Sequence, residues 1–153
     1  MKDSKKTIRK SISAGASRED MWKVITEDEY TRAWYAEFSE GTYAATDWKE
    51  GSKVVFADST GGGLIGRIRI NKEKELLAIE YDGVLKEGLE DYEGEDARAV
   101  KGYQEIYTLT EKNGSTLLAI ECDMADKYFE FMSQAWDRAL QKIKELSEEN
   151  RAA

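Results

Sequence analysis

From Ala125 to about Asn150, the residues Phe129, Met132, Trp136, Leu140, Ile143 and Leu146 recur every three or four positions, with Lys127, Glu130, Asp137, Arg138 and Lys144 between them. That spacing gathers the apolar side chains on one stripe of an amphipathic helix and leaves the charges on its other faces. At ~1.5 Å per residue such a helix is roughly 36–39 Å long, enough to cross a sheet of six or seven strands. The stripe must be buried, so the rest of the chain has to supply an apolar surface of similar width.

The preceding segments supply one. Thr7 to Ser13 alternates, with Ile8 and Ile12 on one face, and reads as a half-buried strand. Ser17-Arg18-Glu19-Asp20 combines an N-cap hydroxyl with a carboxylate three positions later and predicts a short helix from about Arg18. A second short helix is expected over Asp28 to Ala36, its Tyr30, Trp34 and Phe38 forming one aromatic stripe. From Gly41 onward the period shortens to two, with strands predicted at Thr42–Trp48, Ser52–Ala57, Leu64–Asn71, Leu76–Leu85, Gly102–Glu111 and Ser115–Asp123. Asn113-Gly114 joins the last two as a tight hairpin. Gly61-Gly62-Gly63 reads as another hairpin turn, because it precedes a strand and lacks the Lys-Ser/Thr and helix start of a phosphate loop.

The predicted class is therefore α+β: a curved antiparallel sheet of about seven strands wrapped around a long C-terminal helix, with two short helices after the first strand. Gly66, inside a strand, is the expected bend. The chain contains no proline and no internal repeat, and residues 1–153 read as a single domain.

Composition narrows the chemistry. The 153 residues carry 23 Lys plus Arg against 31 Asp plus Glu, a net charge of −8, which argues against binding nucleic acid or an anionic membrane. With no histidine and one cysteine, Cys122, the chain has no Ser-His-Asp or Cys-His relay, no His-held metal and no intrachain disulfide. Cys122, flanked by Ile120 and Met124, reads as a buried inert thiol, and neither a metal nor a cofactor is expected. The absence of an apolar leader or span leads to the expectation of a soluble, cytoplasmic protein. Lys86 to Arg98 contains six carboxylates against two cations, half of the net charge, and predicts an exposed, mobile loop. That loop is read as a solvated insertion, or as a lid or docking site for a basic partner.

The first strand, the paired short helices with Trp22, the segments Trp34-Tyr35-Ala36, Trp48-Lys49-Glu50-Gly51-Ser52-Lys53-Val54-Val55-Phe56 and Gly62-Gly63-Leu64-Ile65-Gly66-Arg67-Ile68, and the terminal helix with Trp136 together resemble the START-like superfamily. Within it the chain is most similar to the branch of activator of heat-shock-protein-ninety ATPase homologues, neighbours of polyketide-cyclase-like and birch-pollen-allergen-like proteins. The resemblance covers nearly the whole chain and rests on structural glycines and aromatics. It implies a helix-grip architecture around a pocket for a hydrophobic or aromatic ligand, and it admits a chaperone or other protein partner, a link to stress response and a homodimer. The chain departs from the branch at Ala14-Gly15-Ala16 and Asn71-Lys72-Glu73-Lys74, where relatives commonly carry proline, and in its acidic insertion.

Candidate ligand-binding residues are Trp34, Tyr35, Phe56, Ile68, Tyr81, Tyr103, Glu105, Tyr107, Phe129, Met132 and Trp136, drawn from the second helix, the strands and the terminal helix. The competing reading is that these side chains fill a solid core. Strand alternation turns Leu77, Ile79 and Tyr81 inward and Glu80 and Asp82 outward; likewise Leu118, Ile120 and Cys122 inward, with Arg67 and Arg69 facing water. Glu105 shares a face with Tyr103, Tyr107 and Leu109. Inward, it is a buried carboxylate able to act as a general acid or ligand anchor; in the other register Gln104, Ile106 and Thr108 point inward and Glu105 is exposed. The leading function is a non-catalytic binding module for a small apolar or aromatic ligand. The alternatives are a cyclase- or hydratase-like enzyme using Glu105 with Tyr103 or Tyr107, and a chaperone-associated interaction protein.

Overall fold

The structure, a computed structural model, describes residues 4–152. Its elements are β1 (Lys5–Ala14), α1 (Arg18–Thr26), α2 (Asp28–Tyr35), β2 (Tyr43–Ala45), β3 (Lys53–Ala57), β4 (Gly63–Lys72), β5 (Leu76–Lys86), β6 (Leu89–Asp91), α3 (Glu95–Val100), β7 (Gln104–Lys112), β8 (Ser115–Ala125), one turn of 3-10 helix (Asp126–Tyr128) and α4 (Phe129–Ala152). The strands form an antiparallel sheet in the order β1-β8-β7-β5-β4-β3-β2, with β6 added beside β5. The α+β class, the two short helices after the first strand and the long C-terminal helix are as expected, and the sheet has eight strands rather than about seven.

The extra strand comes from the acidic insertion, which is folded rather than an irregular loop. Glu87 and Gly88 both take positive φ, +50° and +77°, and turn the chain into a hairpin that pairs Lys86 with Leu89 and Val84 with Asp91. Asp91 then accepts from the backbone N–H groups of Glu93 and Gly94, and α3 begins immediately afterwards. α3 packs on β5 and buries Ala97 completely. The carboxylates that suggested a mobile loop are partly paired, Glu90 with Lys53 at 2.6 Å and Asp96 with Lys86 at 2.7 Å.

The second strand is shorter than predicted. Thr46 Oγ1 accepts from the Trp48 N–H, Asp47 from the Lys49 N–H, and Trp48 sits at φ +62°, so side-chain turns end β2 at Ala45. Elsewhere local signals and structure agree. The Ser17 hydroxyl accepts from the Asp20 N–H and caps α1.

The bend falls at Gly66. The β4–β5 register shifts between Ile65 and Gly66 and again between Ile68 and Ile70, so two bulges curve the sheet there. A Cβ on Gly66 would lie 2.6 Å from the Glu80 carbonyl oxygen, and one on Gly63 only 1.8 Å from that of Phe56, which explains glycine at both positions. The apolar stripe of α4 lies in the resulting hollow, where Ala135, Trp136, Ala139, Leu140 and Ile143 are buried. Lys10–Asp137 and Arg138–Glu37 pairs at 2.7 and 3.1 Å flank its outer surface, and the Gly15 N–H donates to Glu148 at 2.8 Å. These exposed pairs orient the helix; the stabilisation comes from the buried stripe.

Candidate functional site

The inward face of β7 follows from the β7–β8 hairpin. The two-residue Asn113-Gly114 turn sets Lys112 opposite Ser115, and counting back pairs Leu109 with Leu118, Tyr107 with Ile120 and Glu105 with Cys122. Directly opposed residues share a face, so the inward Leu118, Ile120 and Cys122 carry Leu109, Tyr107 and Glu105 inward with them. Tyr103, Tyr107 and Leu109 are buried while Gln104 and Thr108 are exposed. The register that exposed Glu105 is thereby corrected.

Between this face, α2 and the first turns of α4 the side chains leave a cavity of about 560 Å³, within the size range of small-molecule sites. The core is therefore not packed solid. The inner wall is buried and aromatic: Trp34 and Tyr35 from α2, Phe56 from β3, Tyr81 from β5, Tyr107 from β7 and Trp136 from α4. Their rings meet largely edge to face, Tyr35–Phe56 at 5.8 Å, Phe56–Tyr81 at 6.2 Å and Tyr107–Trp136 at 6.0 Å, which fixes each ring against its neighbours. Trp34 is pinned further by its indole N–H, which donates to the Val24 carbonyl at 2.9 Å.

Glu105 ends this wall. Tyr81 Oη donates to its Oε1 at 2.7 Å, Tyr107 Oη donates to its Oε2, and Cys122 Sγ lies 3.7 Å from Oε1. Glu105 is half-buried, and it lines the cavity. Burial pushes its pKa above the ordinary carboxylate range, opposed by the hydrogen bonds from Tyr107, Tyr81 and Cys122. Burial, reinforced by the neighbouring Glu105 charge, drives the hydroxyls of Tyr35, Tyr81 and Tyr107 and the Cys122 thiol well upward, so all four are neutral at physiological pH. Cys122 is free and buried.

Eight of the eleven candidate residues line this cavity: Trp34, Tyr35, Phe56, Tyr81, Glu105, Tyr107, Met132 and Trp136. Tyr103 instead lines a neighbouring hollow of about 800 Å³ between β5, α3 and the start of α4, which shares Gly63, Leu64, Tyr128 and Met132 with the first. That larger space is rimmed by Lys86, Glu95, Asp96, Arg98 and Lys127, and the aromatic–carboxyl cluster belongs to the smaller one. Ile68 is wholly buried in the core, and Phe129 packs beneath the Lys6 ammonium, 5.1 Å from its ring centre; neither lines either of these two hollows. The site also draws on Phe38, Ser39, Thr42, Asp58, Leu64 and Tyr128, which the candidate set lacks. Phe38 continues the α2 stripe from Tyr30 and Trp34, and Leu64 shares a face with Gly66 and Ile68. Asp58 had no local signal of facing a cavity.

Among the described residues no group of three or more Cys, Asp or Glu is gathered to hold a metal ion, and no helix is long and apolar enough to cross a membrane.

A curved sheet, a gripped helix and a cavity between them are now joined by a sequence match: residues 15–148 fit the family of activator of Hsp90 ATPase homolog 1-like proteins. The chain belongs to this family. No curated protein matches the sequence. Among solved structures, that of the Aha1 dimer from Colwellia psychrerythraea is similar with a TM-score of 0.71 at 14% identity, over 94% of this chain and 96% of that one. ChR145 from Cytophaga hutchinsonii is similar over the full length of both chains, with a TM-score of 0.70 at 19% identity. CalU16 from Micromonospora echinospora gives 0.65 at 18% identity over 92% of this chain and 74% of its own. At these identities the likeness concerns the fold. The family fold is one that commonly holds ligands or carries cyclase-like chemistry, and activity lies in each member's own site.

Proposed function

We propose that this protein is a receptor for a small, largely aromatic or apolar molecule held between α4 and the concave face of the sheet. The observation that carries the reading is the meeting of Glu105 with Tyr81 and Tyr107 at the end of an aromatic cavity of about 560 Å³. A cavity with apolar walls and a few convergent polar groups binds by desolvation and selects by those groups. Trp34, Tyr35, Phe56 and Trp136 supply the apolar contact, and the carboxyl with its two hydroxyls orients the ligand's polar end. Half-buried Phe38, Leu64 and Met132 form the approach, with the exposed Tyr128 outermost.

Native mass spectrometry of protein purified from its own cells tests this directly, the expected result being a mass excess that disappears on denaturation. A titration with the neutral dye Nile red, followed by dye emission, gives a second readout. Failure of both would defeat the proposal.

A cyclase- or hydratase-like activity is a second reading, favoured by one observation: Glu105 has a raised pKa and keeps a surface on the cavity, which suits a proton donor. Incubating the recovered molecule with the protein separates the two readings. Recovery of the molecule unchanged supports a receptor, and conversion that stops in Glu105→Gln supports catalysis.

A further inference from the structure

We propose that the cavity selects ligands in which an ammonium group is attached to an aromatic body, and that it rejects carboxylates. The inference rests on the receptor reading above and adds the sign of the ligand's charge.

Among the described residues the cavity lining contains no Lys or Arg, yet it carries two carboxylates, Glu105 and Asp58. The polar partners of Glu105 are two tyrosine hydroxyls and a thiol, all neutral, and among the described residues no Lys or Arg forms an ion pair with it. A carboxylate withdrawn from water without a counter-charge is costly, and a ligand cation placed beside it removes that cost. Two hydroxyl donors leave each carboxylate oxygen with acceptor capacity, which an N–H donor from the cavity side can use.

The walls act in the same sense. Trp34, Trp136, Tyr107 and Phe56 line the cavity, and a cation that meets the face of such a ring is attracted to it. Asp58 is held ionised by its own contacts: it accepts from Ser39 Oγ at 2.9 Å, from Thr60 Oγ1 at 2.5 Å and from the N–H groups of Thr60 and Gly62 at 2.9 and 3.2 Å. Those bonds, the Thr60 hydroxyl first, hold its pKa below the ordinary value. A carboxylate ligand would meet two like charges and, among the described lining residues, no cation.

A matched series tests the inference: naphthylmethylamine, naphthylmethanol and naphthoate, titrated by calorimetry into the full chain near neutral pH. The expected order is amine, then alcohol, then acid, with the amine tighter than the alcohol by roughly tenfold, the size of a partly desolvated cation–ring contact. In Glu105→Gln the amine loses most of that advantage, and Asp58→Asn narrows it by less. An alcohol or acid that binds as tightly as the amine overturns the charge preference while leaving the receptor reading intact. Binding by none of the three, with Nile red also silent, removes the receptor reading and this inference together. The wild-type series decides the matter even if Glu105→Gln fails to fold.

Discussion

Tyr81 Oη donates to Glu105 Oε1 at 2.7 Å across the β5–β7 pair, where Glu105 stands opposite Ile79 and Tyr81 lies on the diagonal two residues further along. The contact joins two neighbouring strands inside the cavity and gives the carboxyl one of its two hydroxyl donors. Each side chain thereby satisfies a polar group that would otherwise be left bare in an aromatic wall.

Removing that donor has a defined cost. Tyr81→Phe keeps the ring packing and deletes one bond to a buried acid, so it should destabilise the protein by about 1–3 kcal/mol. It should also push the Glu105 pKa further up, because the lost bond favoured the ionised form. Urea denaturation measures the first effect and carbon-detected titration of Glu105 the second. An unchanged pKa would show that the bond does not hold the carboxylate.

Glu105 should make stability fall as pH rises. Its folded pKa is raised mainly by burial, so between the ordinary carboxylate value and the folded one the native state holds a proton that the unfolded chain has released. Its contribution is most favourable below that window and is lost as pH rises through the folded value. The groups facing it, Tyr81, Tyr107, Cys122 and nearby Tyr35, stay neutral throughout, so the titration belongs to Glu105. The stability of wild type minus that of Glu105→Gln, measured by denaturation from roughly pH 4 to 8, should decline across the window. A flat difference contradicts the burial of the charge.

Filling the cavity should abolish binding without unfolding the protein. Leu64 and Met132 are half-buried at the junction of the two hollows, with open space beside them. Leu64→Trp should therefore keep the circular dichroism spectrum while lowering Nile red affinity by at least roughly tenfold, because the lost contact area is worth more than 1.4 kcal/mol. Retained affinity would place the dye elsewhere.

The bend in β4 should tolerate no side chain. Gly66→Ala brings a Cβ within 2.6 Å of the Glu80 carbonyl oxygen and should cost about 1–3 kcal/mol. Gly63→Ala meets the Phe56 carbonyl oxygen at 1.8 Å and should cost more. Thermal melts of the two variants should rank in that order, and equal melting temperatures would mean that the strand relaxes freely.

Several local patterns sufficed for their elements. Ser17 and Asp20 announced the start of α1, Asn113-Gly114 the β7–β8 hairpin, and the spacing from Phe129 to Leu146 the long helix. The acidic insertion misled because its charge density hid two local signals, the turn at Glu87-Gly88 and the small apolar Ala97. The orientation of Glu105 was within reach, since a two-residue turn at Asn113-Gly114 and an inward Cys122 together require it.

What the sequence by itself determined is periodicity and punctuation: which segments are helix or strand, where they turn, and that one helix must cover a sheet. These depend on neighbours a few positions apart, where backbone geometry alone decides which side chains share a face. The site is different in kind. Asp58 in the cavity lining, the exclusion of Ile68 and Phe129 from it, and the absence of a cation beside Glu105 among the described residues depend on the curvature introduced at Gly66 and on how far α4 sinks into the hollow. Those are sums over contacts between residues far apart in the chain, and only the folded packing sets them.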